Sequence, residues 1–333
     1  MKPIRVGLIG AGVMGAQHAA CLGALPEAQL AAVADLEERR AQEVASRWGA
    51  TAYGDYHEML AQEGLAAVIV ATSDAAHREP CSAAAHAGAH ILVEKPLATT
   101  LADCDAIAEA AEQHGVRVLV GHTLRWEPRY VLARDAISRG DIGVVSFIFA
   151  RRNNVASVAR RVGRDTNVAR FLAIHDIDWV QWALAERAVS VTARAVSRVL
   201  ADMGTPDAYF ILLRFPSGVL SCVEAAWVLP EQGSGQLDFQ LEAVGSEGAL
   251  HISVQDQGLR IDRAGGLRFP DIVYGPVIRG HVQGVYVEEL RHFLAVARGE
   301  VEPACAVAEG RAAVAAVLAA ERSAESGREV PVE

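Results

Sequence analysis

Lysine is nearly missing from this chain. Only Lys2 and Lys95 stand among its 31 basic residues, and all the others are arginine. Arginine does not release its proton near neutral pH, whereas lysine can. Position 95 therefore holds the only primary amine in the body of the sequence. Positive charge is short overall: 31 basic against 41 acidic residues give a formal charge of −10 at pH 7. That balance excludes a nucleic-acid binder, which needs a basic face for phosphate contacts. The five cysteines (Cys21, Cys81, Cys104, Cys222 and Cys305) are widely separated, and none forms a CxxC pair. Such spacing gives neither a disulfide framework nor a zinc cluster, and it suits a reducing, cytoplasmic setting. No apolar run reaches the length of a membrane span, and Met1-Lys2-Pro3 leads straight into a strand pattern with no export signal. Neither an internal repeat nor a low-complexity linker interrupts the sequence. What is present, 333 residues with 51% hydrophobic and 22% charged, is enough for two soluble domains with substantial cores.

The first apolar run, Ile4 to Ile9, ends in Gly10-Ala11-Gly12-Val13-Met14-Gly15 and passes into a helical pattern from Ala16 to Leu25. Strand, glycine turn and helix in this order predict a dinucleotide site. Gly10 permits a tight turn, Gly12 leaves room for a pyrophosphate, and Gly15 lets the helix pack on the strand. Val13 and Met14 complete the turn, and the helix N-terminus attracts the negative charge. A second buried run, Leu30 to Ala34, ends at Asp35. A carboxylate there accepts hydrogen bonds from ribose hydroxyls and repels a 2′-phosphate, so the expected cofactor is NAD(H), with NADP(H) the lesser alternative. Arg39 and Arg40 read as a solvated helix face.

Further strands at Ala66–Ala71, Ile91–Val93 and Val116–Val120 alternate with helices at Glu37–Trp48, Tyr56–Gln62, His77–Ala87 and Leu101–His114. The alternation predicts a doubly wound parallel sheet, whose ligands bind beyond the carboxyl ends of the strands. Thr72, Glu94 and His122 fall at such ends. So does the stretch that organises the chain, Ile91-Leu92-Val93-Glu94-Lys95-Pro96, which places Lys95 at the same crevice as a candidate for acid/base work.

Together the glycine turn, Ala71-Thr72 with His77, Glu94-Lys95-Pro96, Gly121-His122 with Arg125, and the later His175-Asp176-Ile177-Asp178 resemble the Gfo/Idh/MocA family of NAD(P)-dependent sugar and cyclitol oxidoreductases. The resemblance runs almost end to end. It implies that Thr72, His77 and Glu94 attend the cofactor, that Lys95 sits beside nicotinamide and substrate hydroxyl, and that Pro96 is cis. It also implies that His175 and Asp178, three apart on one helix face, point at substrate. A histidine suits proton transfer because its ordinary pKa lies near working pH. Members that act on inositol carry an Asp four residues before this His. Here that position is Phe171, so the Asp/Lys/His set is incomplete and the expected substrate stays at the level of sugar or cyclitol.

After Arg125-Trp126-Glu127-Pro128 the pattern changes. Strand runs at Val144–Ala150, Val189–Val199, Tyr209–Phe215, Val219–Val228, Leu237–Val244, Ala249–Val254 and Leu259–Arg263 are joined by tight turns such as Pro216-Ser217-Gly218. They predict an α+β domain with a large, mostly antiparallel open sheet and an internal helix at Phe171–Ala185. The resemblance implies a homodimer or homotetramer through the sheet's free face, to which Phe210, Leu212, Val223 and Trp227 would contribute. Arg151, Arg152, Arg160, Arg161, Arg164 and Arg170 cluster in an otherwise acidic chain. They either grip an anionic substrate group or form ion pairs and a solvated loop.

The sequence thus predicts an α/β protein with a Rossmann domain at residues 1–122 and a substrate and oligomerisation domain at 123–333, its terminal helix packing back on the first. The expected activity is hydride transfer between NAD(P) and a hydroxyl or carbonyl of a sugar, cyclitol or derivative. The catalytic candidates are Lys95 and His175. The substrate candidates are Lys95, Arg125, Trp126, Arg152, His175 and Asp178, with no metal, nucleic-acid or membrane partner. An NAD-dependent glycoside hydrolase of the same fold and a non-catalytic dinucleotide sensor are the alternatives.

Overall fold

The structure, a computed structural model, describes residues 2–163, 166–231, 237–254, 257–263 and 266–333. The chain divides into two compact units, one of Met1–Trp126 with Val273–Arg311, the other of Glu127–Ile272 with Ala312–Glu333.

In the first unit strands and helices alternate: β1 Ile4–Ile9, α1 Val13–Leu22, β2 Ala28–Ala34, α2 Glu38–Trp48, β3 Thr51–Tyr53, α3 Tyr56–Glu63, β4 Ala67–Val70, α4 Arg78–His86, β5 His90–Glu94, α5 Leu101–His114 and β6 Val118–Gly121. The strands form one six-stranded sheet in the order β3-β2-β1-β4-β5-β6, and every pair is parallel. Both faces are covered, so the inner strands are apolar throughout, and Val6, Leu8, Val68, Ile69, Ile91 and Val93 are fully buried. The strand order reverses between β1 and β4, which marks the crevice where ligands bind in such sheets. β3 escapes the sequence pattern because three edge residues carry no readable alternation.

The second unit contains α6 Pro128–Arg139, β7 Val145–Val155, α7 Ala156–Val162, α8 Ile174–Leu184, β8 Ser190–Val196, β9 Ala208–Arg214, β10 Leu220–Leu229, β11 Leu237–Gly245 and β12 Ala249–Ser253, and then the hairpin of β13 Ile261–Arg263 and β14 Gly266–Arg268. Back in the first unit come a short hairpin, β15 Val277–Ile278 and β16 His281–Val282, and helix α9 Val285–Ala297. Helix α10 Val307–Ser326 and strand β17 Val330–Pro331 end the chain. The large sheet has the order β12-β11-β7-β10-β9-β8-β17. Only the β7/β10 pair is parallel; the other five pairs are antiparallel.

Three expectations change. The chain leaves the first unit at Trp126/Glu127 rather than after residue 122, and what returns to that unit is α9 with the first turn of α10, not the terminal helix as a whole. α9 brings large apolar side chains, with Val285, Leu290, Phe293 and Leu294 buried. From Ala312 onward α10 belongs to the second unit, where Ser323 Oγ accepts the Ala193 N–H at 2.8 Å. The second change concerns the sheet's free face. Phe210 and Leu212 are exposed on β9, but Val223 and Trp227 are fully buried. Side-chain parity explains this: Val223 lies opposite buried Ile211, and Glu224 lies opposite Phe210. Phe147 and Leu220, paired in register and both exposed, complete the free apolar face. Third, β7 runs on to Val155, so Arg151 and Arg152 are strand neighbours on opposite faces.

Candidate functional site

The glycine turn begins where β1 ends. Gly10 has φ +94°, and a Cβ there would sit 2.5 Å from the Ala71 carbonyl oxygen. A Cβ on Gly12 would meet nothing within 4 Å, so this edge of the turn is open. A Cβ on Gly15 would fall 1.9 Å from the Gly10 carbonyl oxygen, so only glycine lets α1 lie this close to the turn. No side chain caps α1 and no acid occupies its first turn, which leaves the first N–H groups and the positive end of the helix dipole available to an anion. Val13 is 68% exposed and Met14 half-buried at the same turn. Asp35 follows β2, and its Oδ2 accepts the Ala11 N–H at 2.7 Å while Oδ1 accepts that of Glu37 at 2.8 Å. The carboxylate thereby ties the end of β2 to the glycine turn. Arg39 and Arg40 pair with Glu43 and Glu37 on the helix face. Leu36, not singled out from the sequence, is 94% exposed beside Asp35 and offers an apolar surface. Together these features fit a dinucleotide. Gly15→Ala should destabilise the protein by about 1–3 kcal/mol through overpacking and weaken NAD binding. Thermal unfolding and a NAD titration check both effects.

Two strands along, β5 delivers Glu94, Lys95 and Pro96, and the Lys95–Pro96 peptide is cis. Lys95 is half-buried. His77 is buried before α4; its Nδ1 donates to the Pro96 carbonyl at 2.8 Å, and its Nε2 lies 3.3 Å from the Thr72 carbonyl. It thus ties the loop after β4 to the loop after β5, while the Thr72 hydroxyl donates to the Ala76 carbonyl. Glu94 is buried with Oε1 2.7 Å from Nε2 of His18, a residue on α1 that no sequence motif singled out. Arg125 is buried and its guanidinium donates to the Ala304 carbonyl, a bracing contact that no motif announced. Trp126 is half-buried with its ring 5.8 Å from that of His292.

In the second unit the expected helix at Phe171–Ala185 is a wide π turn, Ala169–Ala173, running into α8. The Ile174 N–H accordingly reaches back to the Ala169 carbonyl. Such turns concentrate at functional sites. Phe171 lies in the turn with its ring 6.1 Å from Trp227, His175 is half-buried and Asp178 fully buried.

Four of the six clustered arginines form internal pairs, and Arg161 is exposed. Arg152, a substrate candidate, is instead 3% exposed and gripped by fully buried Asp176 through Nε–Oδ2 at 2.7 Å and Nη2–Oδ1 at 2.9 Å. Arg151 pairs with Glu224, Arg160 with Asp202, and Arg170 with both oxygens of Glu321. Arg164 lies outside the described residues. A cavity of about 820 Å³ does open beside Arg170, but Asp202, Glu321 and Glu325 line it as well, so its charge is acidic and does not favour an anion.

The fold and the turn thus define a dinucleotide-binding α/β unit joined to an open-sheet α+β unit. Residues 4–122 match the family described as "Oxidoreductase family, NAD-binding Rossmann fold", and residues 130–251 match the "GFO/IDH/MocA C-terminal domain". The chain belongs to the Gfo/Idh/MocA family of oxidoreductases. It is 32% identical over 342 residues to inositol 2-dehydrogenase 1 of Saccharopolyspora erythraea, covering 99% of this chain and 96% of that one. It is 30% identical over 309 residues to the scyllo-inositol 2-dehydrogenase (NAD(+)) of Bacillus subtilis, covering 90% and 88%. A solved oxidoreductase domain protein from Kribbella flavida superposes with a TM-score of 0.84 at 25% identity over both whole chains.

Proposed function

We propose that this chain is an NAD-dependent dehydrogenase acting on a secondary hydroxyl of a cyclitol or sugar, with Lys95 and His175 as its working side chains. The observation that carries the reading is the uncapped glycine turn, with Asp35 beside it, in the same sheet unit as Glu94-Lys95-Pro96. Gly10, Gly12, Val13, Met14 and Gly15 would hold the pyrophosphate, and Asp35 the adenosine ribose. Thr72, His77 and Glu94 would shape the nicotinamide end. Bound NAD⁺ supplies the hydride acceptor. The Lys95 ammonium donates a hydrogen bond to the substrate oxygen as negative charge grows on it, and neutral His175 accepts the hydroxyl proton. Asp178 stands one helical turn from His175 and is assigned to orient substrate or imidazole. Phe171 stands where inositol-acting members carry Asp, so the Asp/Lys/His set is incomplete and acid/base work is assigned to these two residues.

The names of the relatives support the cyclitol and sugar class. The test is a screen for NADH formation across cyclitols, aldoses, uronic acids and nucleotide sugars, with NAD⁺ and NADP⁺ in parallel. We expect turnover with NAD⁺ on at least one neutral cyclitol or sugar; NAD binding without turnover on the whole panel would remove the reading.

The protein is further proposed to pair with a second copy through the free sheet face around Phe147, Phe210, Leu212 and Leu220, since exposed aromatic and aliphatic side chains of this size favour burial. A single-chain mass in sedimentation would remove that proposal. No helix of the described residues is long and apolar enough to cross a membrane. Its free thiols support a cytoplasmic setting, and burial pushes those of Cys21 and Cys104 up to about 11 and about 12, which keeps them inert.

A further inference from the structure

Three buried ionisable side chains of the first unit surround the strand end that carries Lys95, and the mechanism above gives two of them no task. His18 on α1 and Glu289 on α9 are fully buried, and Glu94 is 7% exposed. Glu94 is well supplied with donors: Oε1 meets His18 Nε2 at 2.7 Å and Oε2 accepts the Lys95 backbone N–H at 3.3 Å. Glu289 has none. Both of its carboxyl oxygens are sealed from water without a hydrogen-bond partner, and so is Nδ1 of His18. Glu289 lies close enough to Glu94 to feel its charge, and it neighbours Cys21 as well.

A buried carboxylate without partners is costly, and two neighbouring buried carboxyls do not both ionise. The cluster therefore holds one negative charge, and the donors decide where. Burial opposes ionisation of Glu94, but His18, Lys95 and His77 overcome it and hold its carboxyl below the ordinary range. Burial and then the Glu94 charge drive Glu289 well above that range, so it keeps its proton. The other groups facing the cluster are the neutral Cys21 thiol from α1 and the Tyr286 ring from α9, 6.4 Å from His18.

We propose that His18 and Glu289 are positioning residues that confine a single carboxylate charge to Glu94, and that this charge sets the proton affinity of the Lys95 amine. The inference rests on the reading of Lys95 as the working amine. Attraction between the two charges is reciprocal, so removing the carboxylate makes the ammonium easier to deprotonate. His18 acts through its hydrogen bond to Glu94, and Glu289 acts by staying neutral.

The rarity of lysine makes the test direct. Reductive methylation with ¹³C-formaldehyde labels only Lys2, Lys95 and the amino terminus, and Lys95→Arg identifies the Lys95 signal. Its NMR titration midpoint is then read in the full-length protein, without any substrate. Glu94→Gln should lower the midpoint by about one pH unit. His18→Ala should lower it in the same direction, and His18→Gln, whose amide can still donate to Glu94, should restore most of the difference. Glu289→Gln should move it by less than about 0.3 unit, because the residue it replaces already carries its proton. A midpoint unmoved by Glu94→Gln, or lowered equally by Glu289→Gln, overturns the inference. Should Glu94→Gln not fold, the two His18 variants decide: equal midpoints in both overturn it. Because no turnover is measured, its failure is distinct from that of the Lys95 reading, which active Lys95→Met would reject.

Discussion

Lys95→Met should lower kcat by about 10³-fold while NAD affinity stays within a few-fold of wild type. Methionine nearly keeps the length and volume of the lysine stem and removes only the amine. The Lys95 backbone N–H that Glu94 accepts is retained, and His77 still holds the Pro96 carbonyl. The glycine turn and Asp35 are untouched, so cofactor binding has no reason to fail. The missing element is the cation that meets charge developing on the substrate oxygen, an interaction stronger in the transition state than in the ground state. Its loss therefore falls on kcat more than on KM. Lys95→Arg should rescue little, since guanidinium keeps the charge but neither the shape nor the exchangeable proton. Steady-state kinetics with a NAD titration separates the two effects. Full activity in Lys95→Met would reject the mechanism.

The second large effect is on stability. Asp176→Ala and Arg152→Ala should each destabilise the protein by about 3–5 kcal/mol, because each leaves a buried charge without its partner. The pair is deep: Asp176 is fully buried, Arg152 is 3% exposed, its Nη2 also lies 3.3 Å from the Tyr130 hydroxyl, and its guanidinium carbon is 4.3 Å from the centre of the Phe239 ring. Burial pushes the Asp176 carboxyl up even with Arg152 beside it. The intact pair therefore contributes little net free energy while either half alone is expensive. Replacing both residues together with apolar ones of similar size should cost much less than the two single losses added. Urea unfolding should show lower midpoints at an unchanged slope for the single variants. A stable Arg152→Ala that failed only on acidic sugars would restore Arg152 as a substrate ligand.

What could be read from the chain alone follows from how local each constraint is. The glycine turn was legible because three positions within six residues each answer a separate steric demand, and Gly10 and Gly15 meet backbone oxygens that no Cβ could approach. Glu94-Lys95-Pro96 was legible because an apolar strand stops there. The fate of Arg152 was hidden because it depends on β7 extending to Val155 and on which face then points inward. The same parity misplaced Val223 and Trp227 on the free face. His18 looks like any residue on a small apolar helix. Glu289 did leave a trace: Val285, Glu289 and Phe293 fall at i, i+4 and i+8, which sets a carboxyl on the buried stripe of α9. The boundary at residue 273 left none, because the fold, not the local composition, returns α9 to the first unit.

The central claim is that hydride passes between a substrate carbon and the nicotinamide ring. The most direct measurement supplies a cyclitol or sugar from the active panel, deuterated at the carbon that is oxidised, and follows the label by mass spectrometry. The account predicts deuterium in the NADH formed, in step with oxidised product. Deuterium appearing in solvent, or retained in a hydrolysed glycoside with no net NADH, would contradict it.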